Sequence, residues 1–283
     1  MSSVGYEIIR SLGVGALSEA LLARQSDGRR VVIKRLHRHL LHDAVCVEMF
    51  AHEARVLAAL AHPGVARLVA PPTQERAMEF VQEFASGLSL VVMAATPEGR
   101  MPLGAACESI AQLLGALDHV HTRRDAESHP LTIVHRDVCP ANVILARDGR
   151  VTLVDFGIAT SVWRPERERG VMRGTRGYMA PEVITGEREP DARVDLFAAG
   201  VMLYELTVGR RLYEGPAPRV MAAIVDGALP SPRRELPTYP PHLDAVVQQA
   251  LAREADARFT SAREMLDALD AALRADGIAR EVT

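Results

Sequence analysis

A short loop in the middle of the chain combines a carboxylate and an amide at a spacing that suits proton and metal chemistry. Residues 135–142 read His-Arg-Asp-Val-Cys-Pro-Ala-Asn, so Asp137 and Asn142 lie five residues apart on one tight loop. The carboxylate can accept or orient the proton of a hydroxyl group. The amide oxygen can hold Mg²⁺, which prefers oxygen ligands. The loop therefore predicts a site where a hydroxyl group meets a metal ion.

Two further motifs extend this site along the chain. Residues 151–154 read as a short strand, and the tripeptide Asp-Phe-Gly follows at 155–157. The carboxylate of Asp155 therefore leaves a strand end, where it can face the same metal ion. The tripeptide Ala-Pro-Glu at 180–182 closes the stretch. The sequence thus supplies two carboxylates and one amide oxygen for a single metal-assisted site.

The lone lysine of the chain adds a positive charge to these candidates. Of the 33 lysine and arginine residues, only Lys34 is a lysine, so arginine serves wherever a general positive charge is sufficient. A lysine in this background suggests that position 34 needs a compact ammonium group on a flexible stem. Glu53 follows on a helix candidate and can hold Lys34 by an ion pair. The alternative is a surface lysine and an ordinary helix glutamate.

The elements that must position these groups change character along the chain. Strand patterns, one of them at 30–36, and one helix at 45–60 fill residues 6–84, and helical periodicity dominates after Gly87. Gly13 and Gly15 lie between the first two strand candidates, where backbone N–H groups can approach phosphate oxygens, although such pairs also occur in plain hairpin turns. Strands first and helices later indicate a two-part α+β architecture. The predicted hinge is 83–87.

The composition narrows the class of protein. Hydrophobic residues make up 48% and charged residues 24% of the 283 residues, as in a globular protein. The net charge of -3, without a basic tract, disfavours nucleic-acid binding. Cys46, Cys107 and Cys139 lack metal-ligand spacing, so reduced thiols are expected. We find no signal pattern at the N-terminus, and the apolar stretch 196–206 is too short for a bilayer. We therefore expect a cytoplasmic protein without a membrane contact.

Together, these motifs resemble the signature set of the eukaryotic-like (Hanks-type) serine/threonine protein kinase family, in the style of a single bacterial kinase domain. The resemblance covers residues 6–273, with an N-lobe at 6–84, a C-lobe at 88–273 and a short C-terminal tail at 274–283. It implies the bilobal kinase fold, with a small antiparallel sheet lobe plus one helix and a larger, mainly helical lobe. It also implies transfer of the γ-phosphoryl group of MgATP to protein hydroxyl groups.

The resemblance implies a role for each matched residue. Asp137 would be the catalytic carboxylate at the substrate hydroxyl, and Lys34, held by Glu53, would pair with the α- and β-phosphates. Asn142 and Asp155 would hold Mg²⁺, with Mn²⁺ as an alternative. Further ATP contacts would come from Leu12, Gly13, Val14, Gly15, Ala16, Ser18, Ala20, Val32, Gln82, Glu83, Ala85 and Ile144. Structural roles would fall to Arg136, Asp195 and the buried ion pair of Glu182 with Arg258.

The segment between Asp-Phe-Gly and Ala-Pro-Glu indicates the class of substrate. Thr175 resembles the threonine that helps to position the catalytic aspartate in serine/threonine kinases, so a serine or threonine of a protein substrate is favoured over tyrosine. The central part, 163–173, has no hydroxyl residue. We therefore hypothesise that Glu166 or Glu168, rather than a phosphate, pairs with Arg136. The alternative is that both glutamates are solvated. A regulatory partner protein is left open.

Several positions depart from the family pattern. Ser18 replaces the third glycine of the Gly-rich loop, Val32 replaces the usual alanine, and Gln82 is a polar residue beside the adenine pocket. Cys139 stands where serine/threonine kinases usually carry a lysine, and a neutral thiol cannot supply that charge. The main alternative is therefore a pseudokinase, a scaffold that binds a nucleotide or a partner without transferring phosphate. A small-molecule phosphotransferase is disfavoured by the Ala-Pro-Glu motif.

Overall fold

The chain begins with a five-stranded antiparallel sheet. In the computed structural model, which describes residues 5–73, 78–93, 100–163, 172–227 and 231–281, one long helix packs beside this sheet. The strands are β1 (Tyr6–Val14), β2 (Ser18–Gln25), β3 (Arg30–Leu36), β4 (Leu68–Thr73) and β5 (Glu79–Glu83), in the order β1-β2-β3-β5-β4. The helix α1 (Ala44–Ala59) begins where the Asp43 side chain accepts the N–H groups of Val45 and Cys46.

The register of the sheet gathers the predicted nucleotide-binding positions on one face. Gly13 lies opposite Ala20, and Ala20 lies opposite Lys34 on the next strand. Because side chains two residues apart on a strand point to the same face, Val32 shares this face with Lys34. The other face is apolar and forms a separate small core, which consists of Leu21, Ala23, Val31, Ile33 and Val81. The sheet is therefore divided into a functional face and a packing face.

The remainder of the described chain is mainly helical. Its helices are α2 (Leu90–Met93), α3 (Leu103–His121), α4 (Pro181–Thr185), α5 (Arg193–Val208), α6 (Ala217–Val225), α7 (Pro232–Glu235), α8 (Pro241–Ala250) and α9 (Ala262–Ala275). A small sheet of β6 (Leu88–Ser89), β7 (Val143–Leu145) and β8 (Val151–Leu153) borders them. Helix α5 is buried along almost its whole length and packs against α3 and α8, so it forms the centre of the core.

The predicted fold class is confirmed, since a sheet lobe with one helix precedes a mainly helical lobe. Residues 84–87 connect β5 to β6. Gly87 lies here because a Cβ atom at this position would come within 2.3 Å of the Leu145 carbonyl oxygen. Helix α9 continues to Ala275, beyond the predicted end of the C-lobe, and Ile278 packs against the main core. Within the described ranges, no helix is both long and apolar enough to cross a membrane.

Candidate active site

Lys34 lies at the centre of a charged cluster between the first sheet and helix α1, in which Lys34 and Glu53 are buried and Asp155 is half-exposed. Its Nζ is 2.5 Å from Glu53 Oε1 and 2.7 Å from Asp155 Oδ1. Strand β3 supplies the lysine, α1 the glutamate and the segment after β8 the aspartate, so elements far apart in the chain meet here. Lys34 is only 8% exposed. This burial rules out the alternative of a surface lysine.

Lys34 and Asp155 hold each other in the ionised state, whereas burial raises the pKa of Glu53 above its usual value. Burial alone would lower the pKa of Lys34, but the carboxylates of Glu53 and Asp155 raise it above its usual value. Burial alone would raise the pKa of Asp155, but the charge and hydrogen bond of Lys34 bring it below its ordinary range. At neutral pH the site therefore contains a lysine cation beside an aspartate anion.

Asp137 is fixed by hydrogen bonds to both of its carboxylate oxygens. Thr175 donates to Oδ1 from its backbone N–H, at 2.8 Å, and from its hydroxyl, at 2.7 Å. Asn142 Nδ2 donates to Oδ2 and to the Asp137 carbonyl oxygen, both at 2.9 Å. Since the amide nitrogen of Asn142 faces Asp137, its Oδ1 atom is left to accept from, or bind to, another group.

Two oxygen atoms at this place suit a hard cation. Among the described residues, neither Asn142 Oδ1 nor Asp155 Oδ2 accepts a hydrogen bond. A bond of 2.9 Å from the Val154 N–H to the Asn142 carbonyl holds the two segments side by side. The described part of the chain contains no group of three or more His, Cys, Asp or Glu side chains that could hold a metal ion. Mg²⁺ next to phosphates needs only one or two protein carboxylates or amides, so the predicted ligands fit it.

The loop that carries Asp137 and Asn142 is anchored by Asp195. This residue, at the start of α5 and 1% exposed, accepts the backbone N–H groups of His135 and Arg136, both at 2.8 Å. Arg136 and Asp155 both have a positive φ of 67°, which is uncommon for residues other than glycine. Backbone strain of this kind persists where the surroundings fix it, typically at functional sites. Asp195 supplies that support for Arg136.

A cleft of about 810 Å³ opens above the charged cluster. All of the predicted ATP-contacting positions line it, from Leu12 in β1 to Ile144 in β7. The turn above the cleft is closed by a bond of 2.8 Å from the Gly15 N–H to the Ser18 carbonyl. Ser18 does not have a positive φ, which explains why a serine is tolerated at this position.

The inner wall of the cleft carries the side-chain amide of Gln82 and the backbone of Glu83. The Oε1 atom of Gln82 is buried, and no hydrogen-bond donor reaches it from the described part of the chain. A buried acceptor without a partner is costly, so a donor on a bound ligand would stabilise this wall. The N–H of Glu83 is already bonded to the Arg67 carbonyl at 2.9 Å. The predicted backbone contacts of the hinge therefore depend on the Glu83 carbonyl and on Ala85, which also lines the cleft.

Cys139 belongs to the catalytic loop, residues 135–142, and its side chain packs into the main hydrophobic core. It is 1% exposed. Burial raises the pKa of its thiol above the usual range, and the nearby Asp137 carboxylate adds to this effect. The thiol is therefore neutral and contributes no positive charge to the site.

The ion pair of Glu182 with Arg258 lies away from the cleft, at the Ala-Pro-Glu motif. Arg258 donates from Nη1 and Nη2 to the two carboxylate oxygens of Glu182, at 2.7 and 2.8 Å. The Arg258 side chain is completely buried. The hypothesis that Glu166 or Glu168 pairs with Arg136 concerns residues outside the described ranges.

One buried cluster was missed by sequence reasoning, and it lies beside the substrate loop, which is the stretch with Thr175 ahead of the Ala-Pro-Glu motif. Tyr178 donates its hydroxyl hydrogen to Glu205 Oε2 at 2.6 Å, and Arg211 donates to the same tyrosine oxygen. The Leu212 N–H donates to the other Glu205 oxygen at 3.1 Å. The charged residue in the middle of an apolar run on α5 was the available signal, since a buried glutamate needs partners.

Comparison with known families agrees with this geometry. A family model described as "Protein kinase domain" matches residues 6–269, which is nearly the whole chain. The chain belongs to the protein kinase family. This result confirms the resemblance that the motifs carry.

Three curated relatives of this kinase, each at least 30% identical to it, are bacterial proteins. Over 274 residues it is 35% identical to the "Tyrosine-protein kinase MasK" of Myxococcus xanthus, covering 94% of this chain and 42% of the relative. It is 36% identical to the "Serine/threonine-protein kinase pkn2" of the same organism, covering 94% and 32% respectively. It is 33% identical to the "Serine/threonine-protein kinase PknB" of Mycolicibacterium smegmatis, covering 92% and 41%. The chain therefore spans less than half the length of these three relatives.

Proposed function

We propose that this kinase transfers the γ-phosphoryl group of MgATP to serine or threonine hydroxyl groups of protein substrates. The observation that carries the proposal is the fixed carboxylate of Asp137 together with the ion pair of the buried Lys34 with Asp155. A pair of this kind, held in place before substrate arrives, is what phosphoryl transfer requires, because catalysis there is mostly positioning and charge stabilisation.

The residues that line the cleft would bind the nucleotide. Lys34 remains charged at neutral pH and reaches toward the phosphates from β3, while Val32, Ala20 and Ile144 enclose the base. The buried Gln82 Oε1 suits an exocyclic amino group such as that of adenine. Asn142 and Asp155 would hold Mg²⁺, or Mn²⁺ in its place, which when bound neutralises charge on the phosphates.

Asp137 would act on the hydroxyl group of the substrate that accepts the phosphoryl group. Its carboxylate accepts or orients the proton of the substrate hydroxyl, whose oxygen forms the new bond to phosphorus while the bond to ADP breaks. Thr175 and Asn142 keep this carboxylate in one orientation. The contact with Thr175 supports serine and threonine as acceptors. Two of the three relatives described above have names of the serine/threonine class, and one has a tyrosine-kinase name.

A second candidate function is a pseudokinase, which binds nucleotide or a partner without transfer. Cys139 favours it, because a neutral buried thiol stands where the family has a lysine. The intact cluster of Lys34, Glu53 and Asp155 argues for activity instead.

The deciding experiment measures transfer of radiolabelled γ-phosphate to the protein itself and to a generic basic protein, with Asp137→Asn as the control. Acid hydrolysis then identifies the labelled amino acid. We expect label on serine or threonine that is lost in the control. Label on tyrosine alone would contradict the substrate class. Absence of label, with MgATP still raising the melting temperature, would favour the pseudokinase.

A further inference from the structure

The position of helix α1 decides whether the charged cluster exists. Glu53 lies on this helix and Lys34 on the sheet, and their contact of 2.5 Å is the shortest link between the two elements at the site. A displacement of the helix by about 1 Å would weaken this contact, and misplacements of that size cost catalysis heavily. The contacts that fix α1 therefore act on the reaction although they do not touch the substrate.

The activation segment is the stretch from Asp155 to Glu182. Its start faces a stripe on α1 that consists of Met49, His52 and Arg55. Residues three apart lie on the same side of a helix. His52 Nε2 shares a hydrogen bond of 2.8 Å with Ser161 Oγ. The guanidinium carbon of Arg55 lies 4.2 Å from the centre of the Trp163 ring, within the range of a cation–π interaction. We call these two contacts the α1 latch.

A hydrogen bond joins the two residues of the activation segment that form the latch, and a third contact to α1 lies beside them. Ser161 is 8% exposed, and its Oγ also accepts the backbone N–H of Trp163 at 3.1 Å. Arg173, on the returning arm of the segment, donates from Nη2 to Met49 Sδ at 3.8 Å. Both described arms of the activation segment therefore contact the same stripe of α1.

Two of the three hydroxyl groups in this segment already make contacts in this arrangement. Between Asp155 and Tyr178 the sequence contains three hydroxyl residues, at 160, 161 and 175. The Ser161 hydroxyl is bonded to His52, and the Thr175 hydroxyl is bonded to Asp137. A phosphate on either oxygen would displace a contact that the site depends on.

We propose that Ser161 and Trp163 are positioning residues, which hold α1 in the catalytic arrangement through His52 and Arg55 without a phosphate on the activation segment. This proposal deepens the proposed function and rests on it for its kinetic test. The structural test does not depend on catalysis, so the two proposals can fail separately.

The structural test uses the fluorescence of Trp163, which is the only tryptophan in the chain. The full chain is compared with Arg55→Met, which removes the cation but keeps a long side chain, and with Arg55→Lys, which keeps the cation. Because Arg55 is exposed, neither change should affect folding. We expect Arg55→Met to shift the emission to longer wavelength and to increase quenching by acrylamide. Arg55→Lys should resemble the wild type.

The kinetic test compares Ser161→Ala with Ser161→Thr, which keeps the hydroxyl. We expect Ser161→Ala to lower kcat/KM by about tenfold or more and to raise KM for ATP, because Lys34 loses its fixed partner. Ser161→Thr should restore most of the loss. Melting temperatures of both variants separate this effect from unfolding, since a positioning defect changes KM for ATP in protein that remains folded.

Two results would overturn the latch. One is a wild-type emission spectrum and quenching for Arg55→Met, which would mean that Trp163 does not depend on α1. The other is loss of wild-type activity after phosphatase treatment, which would mean that a phosphate is required. If the wild type transfers no phosphate at all, the proposed function fails, and the fluorescence comparison still decides the latch.

Discussion

Thr175 donates two hydrogen bonds to a single oxygen of Asp137, one from its backbone N–H and one from its hydroxyl. The two residues are 38 positions apart, on the catalytic loop and on the substrate loop. The orientation of the catalytic carboxylate therefore depends on the placement of the segment that receives the substrate. A general base must have a fixed direction toward the proton that it accepts.

Replacement of Thr175 by alanine should reduce turnover. Thr175→Ala removes the hydroxyl bond but keeps the backbone bond, so the carboxylate gains freedom. We expect kcat to fall by up to about a hundredfold, with KM for ATP little changed. Thr175→Ser keeps the hydroxyl and should retain most of the activity. Steady-state kinetics of the two variants test this, and equal kcat values would contradict the role of the hydroxyl.

Replacement of Cys139 by lysine should accelerate the chemical step. The neutral thiol supplies no charge near the transferred group, whereas an ammonium at the end of a long side chain would stabilise the charge that develops there. We expect a higher single-turnover rate for Cys139→Lys.

The control for this prediction is Cys139→Met, which has similar length and no charge. Because position 139 is buried, both changes risk overpacking, so rates are compared only for protein with a normal melting transition. A rate for Cys139→Lys that does not exceed that of Cys139→Met would contradict the electrostatic explanation.

The limits of helices and strands could be predicted closely where the sequence carries a turn or a helix cap. Strand β3 has the predicted limits, Arg30–Leu36, because a run of apolar residues follows the turn at Gly28. Helix α1 was expected at 45–60 and lies at Ala44–Ala59, since the Asp43 side chain caps its first turn. Chemically distinct residues such as the lone Lys34 could also be recognised from sequence alone.

Contacts between distant residues could not be predicted in the same way. The bond of Lys34 to Asp155 joins residues 121 positions apart, and the bond of His52 to Ser161 joins residues 109 positions apart. No periodicity in one segment specifies a partner in another, because that partner is selected by how the elements pack. The buried Oε1 atom of Gln82 is similar, since the sequence shows only that the residue is polar.

Loss of one partner of the Glu182–Arg258 pair should be strongly destabilising. Arg258 also donates to the carbonyl oxygens of Ala252 and Arg253, and its removal leaves the buried Glu182 carboxylate without a counter-charge. We expect Arg258→Met and Glu182→Leu each to lower the free energy of unfolding by about 3–5 kcal/mol. Urea unfolding measures this value.

The double variant, Arg258→Met with Glu182→Leu, is the matched control for this pair. Because it leaves no unpaired buried charge, it should cost clearly less than the sum of the two single changes. Strictly additive losses would mean that the two side chains do not act as a pair.

Asp276, just after α9, should make a pH-dependent contribution to stability. Its Oδ2 accepts the Leu243 N–H at 3.0 Å, and its Oδ1 lies 2.6 Å from His242 Nδ1, so it caps the start of α8. Burial alone would raise the pKa of Asp276, but the hydrogen bonds from His242 and Leu243 bring it below its usual range. The unfolded chain therefore binds the proton at a higher pH than the folded protein does.

It follows that this stabilisation is present above the unfolded pKa, which is near 3.9, and is lost as the pH falls through the lower folded pKa. At pH 7 we expect Asp276→Asn to lower the free energy of unfolding by about 1 kcal/mol, the usual size of a helix cap. The difference from the wild type should begin to narrow below about pH 4, where the unfolded chain takes up its proton, and should vanish below the lower folded pKa. Thermal unfolding between pH 3 and 7 measures it, with Asp267→Asn on the exposed side of α9 as a control that should change little. A difference that stays constant down to pH 3 would mean that the charge of Asp276 does not stabilise the cap.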